Sequence, residues 1–176
     1  MSLSVTAVLE AAVEAGPDAA LLSHAGTELN ARQVDQRSRR VACAALLGGL
    51  RPGARVRGGH GDHTDRVCAL LGALRIGLVV VEPHRVECPI LSAPSPAPSR
   101  VESAWESLLL PAEQDVWSET LALERPSGRL TTYGELVIAA LDGSVDPPRA
   151  GEPARADDTL VDAVVAAIVQ RRVLTL

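Results

Sequence analysis

Three residues of one short loop have the types and the spacing that can hold a divalent metal ion: His60, Asp62 and His63. Imidazole nitrogens and carboxylate oxygens are common ligands of such ions, but a stable site needs at least one further ligand. His84 is further along the chain. The alternative is a polar loop in which Asp62 or Thr64 caps the following helix. We predict the second arrangement, and therefore no metal site.

Nucleophilic catalysis has little support in the residues present. Cys88 and His84 could form a thiolate–imidazole pair, but such a pair needs hydrogen-bond contact and an oxyanion hole, and the sequence indicates neither. Ser127 follows Pro126 and lacks the Gly-X-Ser-X-Gly turn of a nucleophile elbow. We therefore predict no catalytic residue.

The chain contains no lysine, so all 17 of its basic residues other than histidine are arginine. Arginine retains its positive charge, but it cannot act as a catalytic amine or enter a tight phosphate loop as a compact ammonium. Schiff-base chemistry, lysine general bases and a Walker-type phosphate loop are therefore excluded. The codon bias of a GC-rich genome is an alternative reason for the missing lysine.

Composition limits the possible partners. The chain has 176 residues, 47% of them hydrophobic, which suits a single domain over residues 1–176. The net charge of -5 and the 2% aromatic content argue against nucleic acid and anionic membranes as partners. No signal peptide or membrane span is evident, so we expect a cytoplasmic protein. The three cysteines lack metal-type spacing and predict buried free thiols.

Helical and strand patterns alternate along the chain, which predicts an α/β fold with crossover connections. Two segments rich in proline, near 89–99 and 142–157, are predicted to be linkers. The stretch before Gly128 shows little helical or strand periodicity. The predicted helices are 5–15, 31–47, 64–75, 101–109, 132–141 and 160–170, and the predicted strands are 19–23, 28–29, 54–57, 78–81 and 173–176.

Several segments, in their order along the chain, are similar to a known family. Residues 51–56 read RPGARV, residues 69–83 read ALLGALRIGLVVVEP, residues 125–136 read RPSGRLTTYGEL, and residues 158–176 read DTLVDAVVAAIVQRRVLTL. They resemble RPGDRV, ALLAVLKAGAAYVPLDP, RPKGVVVTHGEL and FDASVWEIFAALLSGGTLVL of adenylate-forming enzymes, especially the adenylation domains of nonribosomal peptide synthetases. The resemblance implies a partial N-terminal subdomain, with a mostly parallel sheet flanked by helices.

The resemblance also locates a phosphate-binding loop, which in the family reads roughly TSGSTGRPKGVVVTH. It places Ser127 at the lysine of that loop and Glu124 at a glycine. A carboxylate beside a triphosphate is repulsive, and the leucines at Leu121 and Leu123 cannot donate hydrogen bonds. The other nucleotide-binding residues of the family lie beyond Leu176. We therefore predict a degenerate loop and no cofactor; its central residues are Glu124, Pro126, Ser127 and Gly128.

These observations favour a noncatalytic, truncated adenylation-domain-like protein that acts as an interaction or scaffold component in bacterial natural-product biosynthesis. Its partner would be a second copy or a biosynthetic protein, because a partial domain exposes apolar surface. The apolar helix at 160–170 is the first candidate for this contact.

Two alternatives remain open. One is an enzyme, or a subunit assisting acyl or aminoacyl adenylation in trans, with a small-molecule site near 58–63 and 82–87, at strand ends. The other is a decaying gene product without a role.

Overall fold

The structure is a computed structural model that describes residues 4–58, 62–81, 88–91, 109–114, 116–145 and 159–175. The helices of these ranges are α1 (Val5–Ala15), α2 (Ala31–Leu47), α3 (His63–Arg75), α4 (Leu110–Gln114), α5 (Tyr133–Leu141) and α6 (Leu160–Gln170). The strands are β1 (Ala20–His24), β2 (Thr27–Asn30), β3 (Arg55–Gly58), β4 (Val79–Val81), β5 (Ile90–Leu91), β6 (Leu121–Glu124), β7 (Leu130–Thr132) and β8 (Leu174–Thr175).

Two sheets organise the described residues. The larger has the strand order β5-β3-β4-β6-β7, and all its pairings are parallel except that of the edge strand β7 with β6. Every residue of the central strand β4 is buried, as its unbroken run of valines predicts. The smaller sheet has the order β2-β1-β8. The predicted α/β class with a mostly parallel sheet flanked by helices is confirmed.

Side chains at the helix starts explain why several helices begin where they do. Asn30 and Gln33 form a reciprocal capping box at α2, Thr132 and Glu135 form one at α5, and a third one begins α6. Each box satisfies backbone N–H groups that the helix itself leaves unpaired. Five of the predicted helices lie within the described residues, and their bounds differ from the observed ones by at most one residue. Capping residues are local signals, so the sequence contains the information that sets these bounds.

Helices α2 and α3 pack on each other in the core, and Gly72 permits their close approach. A Cβ at Gly72 would lie 2.7 Å from Val41 Cβ and 2.8 Å from the carbonyl oxygen of Ser38. Because such distances are shorter than side chains tolerate, the two backbones can approach this closely only with glycine at that position.

Helix α6 lies inside the molecule. Its residues from Val161 to Ile168 are all buried, and the helix packs on α5 and α1. The prediction that this helix provides the contact with a partner is therefore wrong: its apolar face is already covered within the chain.

Parts of the irregular segments also form regular structure. Ile90–Leu91 is strand β5 inside the first predicted linker, and helix α4 and strand β6 lie in the stretch that had little pattern. The other residues of the linkers, 92–99 and 146–157, and most of the predicted helix at 101–109 lie outside the described residues. The division into a single domain with two linkers stays a prediction.

Candidate functional site

The hairpin of β6 and β7 is the place that the resemblance assigns to the phosphate loop. The Arg125 N–H donates to the Arg129 carbonyl at 2.9 Å, and the Gly128 N–H donates to the Arg125 carbonyl at 2.8 Å. Pro126 suits the first central position of this turn, and Gly128 has a φ of 81°, which glycine adopts without strain. The five residues 125–129 therefore connect the two strands, and the first four of them form a hydrogen-bonded turn.

Arg125 ties this hairpin to helix α6. Its Nη1 and Nη2 donate to the two carboxylate oxygens of Asp162 at 2.7 and 2.8 Å, and its Nε donates to Thr131 Oγ1 at 3.0 Å. The Asp162 side chain is 1% exposed, and its Oδ2 also accepts from the Thr159 N–H at 3.1 Å, as part of the capping box of α6. A bidentate pair of this kind is strong and directional, so the guanidinium of Arg125 is held by protein groups.

Glu124 is held by another arginine of the sheet. Its Oε2 accepts from Arg55 Nε at 2.7 Å, across the intervening strand β4. Ala122 and Leu123 are fully buried, whereas Leu121 is partly exposed. Of the residues that the resemblance aligns with glycines and hydroxyls of the phosphate loop, Ala122 and Leu123 therefore contribute to the core, and Glu124 contributes to an ion pair.

The remaining groups of the turn face solvent. Ser127 is exposed, and its Oγ accepts from the Arg129 N–H at 3.4 Å. Arg129 is exposed and lies 3.6 Å from Glu135. The backbone N–H of Thr132 donates to Glu135 and holds the pKa of that carboxyl below its ordinary value. Each arginine of the hairpin thus has a carboxylate partner, which suits fixing the hairpin against α5 and α6.

The predicted metal candidates have other contacts. Asp62 Oδ1 accepts from the Asp65 N–H at 2.7 Å and caps α3, which confirms the helix-cap alternative. The ring of His63 lies 4.6 Å from that of His24, at 56°. Within the described ranges, no three histidines, cysteines or acidic residues are placed to hold a metal ion. His60 and His84 lie outside these ranges, and so do residues 82–87 of the alternative small-molecule site.

The predicted cysteine state is confirmed. Cys43, Cys68 and Cys88 are free and buried. Burial raises the pKa of the Cys68 thiol to about 12, so this thiol is a poor nucleophile at neutral pH.

Sequence reasoning missed a buried charge cluster that joins four helices. The Arg75 guanidinium, 1% exposed, binds Asp35 of α2 and Glu113 of α4, and its Nε donates to Ser38 Oγ at 2.9 Å. Arg39 of α2 extends the cluster from Asp35 to Glu10 of α1. An arginine inside the apolar run ALLGALRIG was the one signal of this cluster in the sequence.

Three large apolar side chains lie exposed on helix α5 or next to the residue that contacts its first turn. Trp117 is 61% exposed, Ile138 52% and Leu141 64%. Ser118, next to Trp117, accepts a hydrogen bond from the Gly134 N–H at 2.8 Å. Gly134, Ile138 and Leu141 are spaced i, i+4 and i+7, so they share one face of the helix. We call Trp117, Ile138 and Leu141 the α5 stripe.

Sequence comparison gives no relative: no family model matches this chain, and no curated protein does. None of the described helices has the length and apolar character needed to cross a membrane.

Solved structures do resemble the chain. A fatty acyl-adenylate ligase from L. pneumophila, in complex with acyl adenylate and pyrophosphate, superposes on 98% of it with a TM-score of 0.72 and 13% identity. VinN covers 98% with a TM-score of 0.66 and 14% identity, and the N-terminal subdomain of NpsA from Klebsiella oxytoca covers 99% with a TM-score of 0.65 and 11% identity. The chain spans 39%, 59% and 53% of the lengths of these three proteins. It therefore has the fold found in the N-terminal subdomains of adenylate-forming enzymes.

Proposed function

We propose that this chain is a noncatalytic, adenylation-domain-like protein that acts by binding protein, as a component of bacterial natural-product biosynthesis. The observation that carries the proposal is the closed β6–β7 hairpin. The sequence resemblance aligns its four-residue turn with the phosphate-binding loop of the family, and Arg125 is held by Asp162.

Physical chemistry supports the loss of nucleotide binding at this turn. Phosphate loops use a run of small residues, so that several backbone N–H groups point at the phosphate oxygens. In this hairpin the N–H groups of Arg125 and Gly128 donate to backbone carbonyls. Releasing Arg125 to bind a phosphate would leave the buried Asp162 carboxylate without its cation, which opposes the exchange.

A surface for protein binding is supported by the α5 stripe. Ile138 and Leu141 lie on one face of α5, and large exposed apolar side chains lose unfavourable contact with water when another surface covers them. We propose a second copy of the chain as the partner, since a twofold axis lets one stripe pack on its equivalent.

Pyrophosphate exchange tests the catalytic half of the proposal. The chain is assayed with ATP and a panel of carboxylic acids, alone and with the products of neighbouring genes. We expect no exchange and no thermal shift with ATP. Exchange by the chain alone would contradict the proposal, and exchange that needs a neighbouring protein would support an adenylation subunit acting in trans.

Analytical ultracentrifugation at micromolar concentration tests the binding half. We expect a dimer for the native chain and dissociation to monomers in Ile138→Glu and Leu141→Glu, because a charge in an apolar contact is not compensated. Leu47→Glu is the matched control, since Leu47 is 50% exposed on α2 and should leave the dimer intact. A monodisperse monomer of the native chain would overturn this half.

A further inference from the structure

A small cavity with apolar walls lies beside the end of helix α1. Its volume is about 130 Å³. Ala12 and Ala15 of α1, Ala31 of α2 and residues of the segment 16–21 line it, and the side chains of that segment that do so belong to glycine, alanine and leucine. Ala15 is exposed whereas Ala31 is buried. The cavity therefore extends from the surface towards the core, and a molecule in solution can enter it.

The volume of the cavity limits what it can hold. A protein core normally leaves few voids, and here the small side chains of the walls leave the space unfilled. A cavity of about 150 Å³ with apolar walls holds benzene, so this one has room for an aliphatic chain of about four to six carbons. Such a chain gains free energy by leaving water for these walls.

Arg171, which follows helix α6, completes the wall and is the charged residue among those that line the cavity. It is exposed. Its N–H donates to the Ile168 carbonyl at 3.2 Å, and the N–H of Arg172 donates to the Ala167 carbonyl at 2.9 Å. These bonds fix the backbone of Arg171, whose φ of 52° lies in the region that glycine usually occupies after a helix. Arginine at this position places a cation beside an apolar cavity.

We propose that this cavity binds a short aliphatic carboxylate, with the alkyl chain against the alanines and the carboxylate on Arg171. A guanidinium group donates two parallel hydrogen bonds to the two oxygens of a carboxylate. No carboxylate side chain is among the lining residues that would repel this ligand. The cavity shares no residue with the β6–β7 hairpin or with the α5 stripe, so the inference is independent of the proposed function.

A titration followed by ¹⁵N–¹H correlation spectra tests the site, with sodium salts of straight-chain carboxylic acids of two to eight carbons at pH 7 and constant ionic strength. We expect saturable shifts at the amides of Ala15, Ala31 and Arg171. The affinity should rise about fourfold per methylene and stop rising at about six carbons, when the cavity is full. Hexanol, which lacks the charge, should bind about tenfold or more weakly than hexanoate.

Two pairs of variants test the two parts of the ligand. Arg171→Gly keeps the left-handed backbone and removes the cation, so hexanoate should bind about tenfold or more weakly; Arg129→Gln removes an exposed charge elsewhere and should bind as the native chain does. Ala15→Leu fills the mouth of the cavity and should weaken binding about tenfold or more. Ala11→Leu is its control, because Ala11 is exposed on the same helix and does not line the cavity.

Each of four results would overturn the proposal. They are the absence of saturable shifts at the cavity, an affinity that does not depend on chain length, undiminished affinity for hexanoate in Arg171→Gly, and equal losses in Ala15→Leu and Ala11→Leu. Circular dichroism of every variant shows whether it is folded, so that a loss of binding is assigned to the cavity only in a native-like protein.

Discussion

At the scale of single residues, Arg75 shows how a buried charge is retained in an apolar core. Its guanidinium is surrounded by the carboxylates of Asp35 and Glu113 and by the Ser38 hydroxyl. Taking these groups out of water is costly, and the cost is recovered only while every partner is present. The cluster is therefore sensitive to loss of any one member.

Replacing Arg75 with methionine should destabilise the fold by about 3–5 kcal/mol, because two buried carboxylates then lose their shared cation. The free energy of unfolding from urea denaturation, followed by circular dichroism, measures the effect. Arg129→Met is the control, since an exposed ion pair contributes about 0–1 kcal/mol. Equal stabilities of the two variants would show that Arg75 does not hold the cluster together.

Between elements, the α2–α3 contact depends on one glycine. Gly72→Ala should cost about 1–3 kcal/mol, because the added methyl overlaps Val41 and the Ser38 carbonyl and the helices must separate. Gly16→Ala is the matched control: its Cβ would lie 3.4 Å from Ala19 Cβ, an ordinary contact. Urea midpoints of the two variants provide the test, and a native-like midpoint for Gly72→Ala would contradict the close packing.

The elements that the sequence predicts well are those with local signals. Thr159 and Asp162 form a capping box at the start of helix α6, and the helix carries an unbroken apolar face. Its bounds are therefore predicted correctly. The burial of α6 is not predicted from the sequence, because it depends on packing against α1 and α5, and α1 is distant in sequence. Strand β5 has only two residues, Ile90–Leu91, and depends on pairing with β3. Local periodicity cannot predict so short an element.

The candidate sites also divide into features that local sequence predicts and features that depend on contacts between distant segments. Asp62 as a helix cap follows from its position before α3. The pairing of Arg125 with Asp162 joins residues 37 positions apart, and the buried cluster around Arg75 joins residues of four helices. Contacts between distant segments decide these features, so only the tertiary structure reveals them.

At the scale of the whole molecule, the buried charge cluster around Arg75 joins four helices, and it carries an excess of negative charge. It contains three carboxylates, of Glu10, Asp35 and Glu113, and two guanidinium groups, of Arg39 and Arg75. Glu10 is at its edge. Burial, followed by repulsion from Glu113, raises the pKa of Glu10, and this outweighs the attraction of Arg75 and Arg39.

The raised pKa of Glu10 predicts a pH dependence of stability. Below the ordinary pKa of glutamate the side chain is protonated in the folded and unfolded states, and it costs nothing. As pH rises through the interval up to the raised pKa, the unfolded state loses its proton first, so the free energy of unfolding falls. Glu10→Gln, which resembles the protonated form, should therefore gain stability relative to the native chain between about pH 4 and about pH 7.

Urea denaturation at both pH values measures this relative gain, and the sign is the decisive quantity. Glu14→Gln removes one exposed negative charge from the same helix and controls for the change in net charge. If Glu10→Gln instead loses stability relative to the native chain as pH rises, then attraction to Arg39 outweighs burial, and Glu10 is a stabilising member of the cluster. A gain confined to Glu10→Gln would show that the junction of α1 with α2 becomes less stable when the cluster is fully ionised.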